Sequence, residues 1–235
     1  MLVLGGDGTI NEVVQGMAHS HVPLGVLPGG TANCLAMELG LSSNVEHAAE
    51  RLGASEPARI ALGRVTGAGS GERYFLLMCG AGLDAAIVYE VHQGFKSSAG
   101  KLAYWAAGLG QFRRRVAEMS IRVNGSSESC GFVLVSRIRN YGGDLEIASG
   151  ASLRRNDFEV VWFEGSNPLR YAWYILGVGI RRVQQLRGVK TVRTDALEIS
   201  TSAPSQIDGE FFAHEPLRID TARDALTLLI PPAYG

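Results

Sequence analysis

MLVLGGDGTINEVVQGM (residues 1–17) and VPLGVLPGGTANCLAMEL (residues 22–39) are built alike. Each passes from a short apolar stretch through a glycine-rich turn into a segment with helical spacing. Leu2–Leu4 reads as a strand, GGDG as a turn and Thr9–Met17 as a helix with Asn11 and Glu12 in its first turn. Val22–Pro28 reads as the second strand, GGTAN as its turn and Cys34–Leu39 as its helix. A repeated strand, glycine turn and helix is the pattern of an α/β layer on a parallel sheet.

From about Ala58 the character changes. ARIALGRV, RYFLLMCGAG, SIRVNG, CGFVLVSRIR, FEVVWFEG, TVRTDALEIST and ALTLLIPP are strand-like runs bounded by Gly, Asn, Ser or Asp. Helical stretches fall between them at Asp84–Gln93, Lys101–Phe112 and Pro168–Leu186. The expected plan is an α/β unit over residues 1–57, followed by a β-rich unit over residues 58–235.

The 235 residues are 46% hydrophobic and 19% charged, enough for real cores. A formal charge of −1 gives no global basic field, so nucleic acid is not an expected partner. The three cysteines, Cys34, Cys79 and Cys130, show no metal-ligand spacing and read as reduced core thiols of a cytoplasmic protein. No signal peptide is visible, and Tyr171–Ile180, the longest apolar stretch, is too short to span a bilayer.

A glycine turn between a parallel strand and a helix presents backbone N–H groups at the positive end of a helix dipole, which suits phosphate. The glycines of GGDGT are expected to adopt conformations closed to other residues and to admit a polyphosphate to the main chain. Asp7 adds a carboxylate suited to a Mg²⁺ bridge or to accepting a proton. Thr31 and Asn33 of the second turn should line the same cleft.

Two other glycine patterns carry less. GAGLDA (residues 80–85) fits a dinucleotide fingerprint but lacks the later acid, and reads as a tight strand-to-helix join. GFKSSAGK (residues 94–101) has one residue too many for a Walker loop, and Leu102 stands where a hydroxyl should bind metal. In SQIDGEFF (residues 205–212), Asp208 and Glu210 flank a glycine. If extended, they face one site; otherwise they mark a hairpin turn.

In order along the chain, GGDGTINEVVQGM, PLGVLPGGTANCLAMELGL, RYFLLMCGAGLDAAI and IDGE resemble the signatures of the diacylglycerol kinase catalytic-domain family. That family includes bacterial lipid kinases and sphingosine and ceramide kinases. The resemblance runs from Val3 to the C-terminus. It implies transfer of the γ-phosphoryl group of ATP, with Mg²⁺, to a lipid hydroxyl by a protein peripheral to the membrane. It also implies a Rossmann-like α/β domain of the phosphofructokinase and NAD kinase type, then a β-sandwich-like domain whose last strand returns to the first, with nucleotide between them. Gly5, Gly6, Asp7, Gly8 and Thr9 would cradle phosphates beside Gly30, Thr31 and Asn33, with Glu12 on the helix behind. Asp208 would be the general base and Glu210 its partner, with Asp7 as the other candidate base and the Mg²⁺ ligand.

Three departures bear on this. Cys34 follows Asn33 where many members carry Asp. Leu153, Arg154, Arg155 and Asn156 stand where other bacterial members hold a structural Mg²⁺ with acids, so no metal is expected there. Members usually have more strand–helix–strand ahead of GGDGT, so a truncated α/β domain with an exposed β-edge and impaired catalysis is expected. The competing functions are an NAD kinase-like small-molecule kinase and a non-catalytic lipid-binding remnant. Arg113, Arg114 and Arg115 are a candidate contact with anionic membrane. The lipid acceptor stays open among diacylglycerol, sphingoid bases and phosphatidylglycerol, and the oligomeric state is open, a homodimer included.

Overall fold

The computed structural model describes residues 1–83, 117–142, 145–179 and 182–234. The expected helices at 84–93 and 101–112, the GFKSSAGK segment and the arginines at 113–115 lie outside them. The chain opens with β1 (Leu2–Gly5), α1 (Asp7–Met17), β2 (Gly25–Pro28), α2 (Cys34–Glu38) and α3 (Val45–Gly53). Next come β3 (Glu56–Gly67), β4 (Gly71–Phe75), β5 (Met78–Gly82), β6 (Met119–Val123), β7 (Ser126–Cys130) and β8 (Phe132–Ser136). The short β9 (Asn140–Gly142) and β10 (Leu145–Glu146) precede β11 (Phe158–Phe163), α4 (Pro168–Gly179) and a 3₁₀ turn at Val183–Gln185. β12 (Val189–Thr194), β13 (Ala196–Ile207) and β14 (Glu210–Ile230) complete the chain.

β1 and β2 are parallel, with Gly5 opposite Pro28. The remaining long strands form one antiparallel ten-stranded sheet in the order β12-β11-β8-β5-β13-β14-β3-β4, with β6 on β13 and β7 on β6. This is the expected class, α/β followed by β-rich. α1 begins at Asp7, two residues earlier than expected, because an acid suits the first turn of a helix. Its buried residues Ile10, Asn11, Val14 and Met17 make one stripe. Pro168–Leu186 is not one helix: α4 stops at Gly179 and the 3₁₀ turn follows.

Two cores share the large sheet. Val65, Phe75, Ile121, Val133, Val135, Phe158, Val160, Leu197 and Ile219 fill one, and the helices pack with Leu134, Val161 and Phe163 in the other. Alternate residues of β8 and β11 therefore face different cores, which is why FVLVS and FEVVWF read as unbroken apolar runs. The three cysteines are buried thiols, and burial pushes that of Cys130 up to about 12. Of β1, Val3 is buried while Leu2 and Leu4 are exposed.

The far end of β14 also touches the small sheet. A bulge between Ala222 and Leu226 bends the strand. Beyond it Leu24 pairs with Leu228, through Leu24 N–H to the Thr227 carbonyl at 2.8 Å and Leu229 N–H to the Leu24 carbonyl at 2.8 Å.

Candidate active site

β1 and β2 end side by side, so the two glycine turns leave the sheet together. Gly29 N–H donates to the Gly5 carbonyl at 3.0 Å. A Cβ on Gly30 would stand 2.5 Å from Gly6 Cα, and one on Gly29 would stand 2.9 Å from Gly5 N. Gly5, Gly6, Gly8, Gly29 and Gly30 all lack positive φ. The expectation that GGDGT needs glycine for special backbone angles is thus corrected: the requirement is close approach of one turn to the other. Asn33, at φ +48°, closes the second turn by accepting from Gly30 N–H and donating to the Gly30 carbonyl, both at 2.8 Å. Thr9 and Thr31 are exposed beside these turns.

Asp7 does not project freely into the crevice. Its carboxylate accepts from Cys34 N–H at 3.0 Å and Leu35 N–H at 3.2 Å, at the start of α2. Asn33 gives α2 no side-chain cap, and Asp7, the first residue of α1, supplies one. The backbone of Cys34, where many members of the resembled family carry Asp, thus links the two turns.

Asp208 and Gly209, at φ +48° and +89°, form the two-residue turn between β13 and β14, with Ile207 opposite Glu210. Asp-Gly is the natural sequence for such a turn. The segment is therefore not extended, and the two acids go different ways. Asp208 turns inward and is buried. One carboxylate oxygen accepts from Leu77 and Met78 N–H, both at 2.9 Å; the other accepts from Leu76 N–H at 3.0 Å and Asn11 Nδ2 at 2.8 Å. Burial pushes this carboxyl up to about 6, while the four donors act to lower it.

Those donors exist because RYFLLMCGAG is not one strand. It breaks at Leu76–Leu77, between β4 and β5, and the freed N–H groups converge on Asp208. Asn11 is oriented in turn: its Oδ1 accepts from Arg73 Nη2 at 3.1 Å and Gln15 Nε2 at 3.2 Å. Sequence reading gave Asn11 no role. The available signal was a polar residue inside the apolar stripe of α1. Glu12, expected near the cofactor, pairs with Arg73 on the exposed side of the helix.

Glu210 is half-exposed and lies over the first turn of α1. A Cβ on Gly8 would overlap Glu210 Oε1. Replacing Gly8 with Ala is therefore expected to displace the Glu210 carboxylate, the end of a flexible side chain. The measurement is a paired one: thermal midpoint near wild type, with any Glu210-dependent activity sharply reduced. Wild-type activity would show that the position of Glu210 does not matter.

The glycine turns, Asp7, Asp208 and Glu210 thus gather around the N-terminal end of α1. Residues 1–65 match the family model of the diacylglycerol kinase catalytic domain. Over those residues the chain is similar to the diacylglycerol kinase catalytic-domain family. The chain is 31% identical to a diacylglycerol kinase of Bacillus subtilis over 175 residues, covering 71% of this chain and 55% of that protein. A Mycobacterium tuberculosis diacylglycerol kinase is 24% identical over 237 residues, covering 98% of this chain and 76% of that one. A crystal structure of a diacylglycerol kinase from Bacillus anthracis superposes over 100% of this chain and 78% of its own, with a TM-score of 0.75 and 21% identity, and so shares the fold.

Among the described residues, no three His, Cys, Asp or Glu side chains converge as a metal site, and no helix is long and apolar enough to cross a membrane. At Leu153–Asn156, where no metal was expected, the loop carbonyls face a cation of the chain itself. Buried Arg137 donates through Nη2 to the carbonyls of Leu153 at 3.2 Å and Arg155 at 2.9 Å.

Proposed function

We propose that this chain is an ATP- and Mg²⁺-dependent lipid kinase that phosphorylates a lipid hydroxyl of the diacylglycerol or sphingoid type from the cytoplasmic side. Nucleotide would lie between an α/β domain of residues 1–57 and a β-rich domain of residues 58–235. The observation that carries the reading is the placing of the Glu210 carboxylate against Gly8, at the helix end beside the paired glycine turns. Backbone N–H groups at that end favour phosphate. Asp7 and Asp208 accept bonds from the chain's own N–H groups, whereas Glu210 accepts none among the described residues.

Glu210 is accordingly assigned as proton acceptor, with Asp208 and Asp7 as positioning residues. The lipid oxygen bonds to the γ-phosphorus, the bond to the β-phosphate oxygen breaks, ADP leaves, and the hydroxyl proton passes to Glu210. Mg²⁺ commonly takes one or two carboxylates and fills its shell with phosphate and water oxygens, and Asp7 is the residue that would hold it. Bound there, it would neutralise charge on the transferring group.

The test is transfer of label from γ-labelled ATP to diacylglycerol, sphingosine, ceramide, phosphatidylglycerol and NAD, with wild type and Glu210→Gln. We expect label in one lipid and a loss of roughly 10²–10⁴-fold in Glu210→Gln with folding intact. Label in NAD alone would establish the small-molecule kinase instead. No label from folded protein would favour the non-catalytic reading.

A further inference from the structure

The mechanism leaves one charged stretch unused. From Gly165 to Thr194 there is no Asp or Glu, yet the stretch holds Arg170, Arg181, Arg182, Arg187, Lys190 and Arg193. A chain with 22 basic and 23 acidic residues overall has concentrated positive charge here. α4 lies within this stretch. It sends Tyr171, Tyr174 and Val178 into the core, whereas Trp173 is 66% exposed.

The surroundings of that indole are cationic. Arg170 is three residues before Trp173, hence on the same side of the helix. Gly177 is four residues after it and meets the following turn, since a Cβ there would stand 2.5 Å from Leu186 Cδ1. Arg182 and Arg187 flank that turn, and Arg182 N–H caps the helix through the Gly177 carbonyl at 2.8 Å. Lys190 is neutralised by Glu128 and Glu164, but Arg170, Arg182 and Arg187 are exposed and form no ion pair among the described residues. Arg170 also bonds the Tyr174 side chain, so the charge beside the exposed indole with no acidic partner among the described residues comes from Arg170, Arg182 and Arg187, and it complements an anionic, partly apolar surface. Trp seats itself at the headgroup level and arginines attract acidic headgroups.

We infer that the outer side of α4, with the turn at 182–187, is where this protein docks on anionic lipid bilayers, with Trp173 inserted among headgroups. The inference rests on the lipid-kinase reading for its purpose: docking here would bring an enzyme without a spanning helix among its described residues to a substrate held in the membrane.

The test is co-sedimentation of the full chain with vesicles of phosphatidylcholine alone and of phosphatidylcholine mixed with phosphatidylglycerol. Wild type is compared with Trp173→Ala and with the combined Arg170→Ser, Arg182→Ser, Arg187→Ser variant. Wild type should prefer the mixed vesicles and release in salt. The triple variant should bind about 100-fold more weakly, and Trp173→Ala several-fold more weakly, with both thermal midpoints unchanged. Phosphorylation of vesicle-borne lipid should fall in parallel, while a short-chain diacylglycerol dispersed in detergent is phosphorylated at the wild-type rate.

Equal partitioning of wild type and both variants overturns the assignment, as does wild type that ignores anionic vesicles. Loss in the arginine variant with none in Trp173→Ala also overturns it, leaving a polyanion contact that does not enter the bilayer. Failure of the kinase reading looks different: vesicle binding still depends on Trp173 and the arginines, but no lipid is labelled in either format.

Discussion

Asp208→Asn is expected to lower the stability of the protein sharply. Four donors converge on this carboxylate, and all four of its acceptor positions are used. An Asn side chain keeps one oxygen and turns an NH₂ group toward the other two donors. Two stranded donors at about 1–3 kcal/mol each give a cost of roughly 2–6 kcal/mol. Domains are commonly stable by only about 5–15 kcal/mol. Urea titration followed by circular dichroism should show a much lower midpoint, and a midpoint equal to wild type would refute the positioning role. Lost activity in an Asp208 variant is therefore no proof that Asp208 takes the proton. The comparison that decides is Glu210→Gln, which leaves this cluster whole.

The second large effect is expected at Gly30. The new methyl of Gly30→Ala would stand 2.5 Å from Gly6 Cα, backbone that the β1–β2 ladder holds in place. Neither turn has a flexible side chain to give way, so the turns must part, at a cost of about 1–3 kcal/mol or more. Gly16→Ala is the control: nothing lies within 4 Å of its added methyl, on an exposed position of α1. It should stabilise by about 0.5–1 kcal/mol. Thermal melts of the two variants with and without ATP give the readout. We expect Gly30→Ala to melt early and to lose the shift caused by nucleotide, and Gly16→Ala to melt late and keep it. A Gly30→Ala protein with wild-type behaviour would mean that the packed turns are not needed.

Much of this architecture is legible in the sequence because its causes are local. Apolar runs ending in GGDGT and GGTAN announce two strand–turn–helix units, and Gly, Asn and Ser punctuate most later strands. What escapes reading depends on distant partners. The break at Leu76–Leu77 falls inside an unbroken apolar run, and the carboxylate that satisfies it comes from Asp208, 131 residues away from Leu77. The glycines of the second turn are required by the backbone of the first, which no local rule reports. The roles of the acids were mixed in the same way: identity and spacing mark Asp7, Asp208 and Glu210 as special, but only folded geometry separates two that bind the chain from one that faces outward. The helix Val45–Gly53 was missed although Gly40 ends the preceding helical segment and Asn44 caps it by accepting from His47 N–H at 3.1 Å.

The contact of Asn11 with Asp208 joins residues 197 positions apart, and Leu24 meets Leu228 across a similar span. A ribosome adding about 5–20 residues per second needs on the order of 10–40 s to travel that far. For all of that time the parallel pair of β1 and β2 waits without the strand end that covers Leu24. The N-terminal end of α1 therefore reaches its final surroundings only after Asp208 and Leu228 have been made. Over that interval the nascent β1–β2 pair is open to chaperones and proteases.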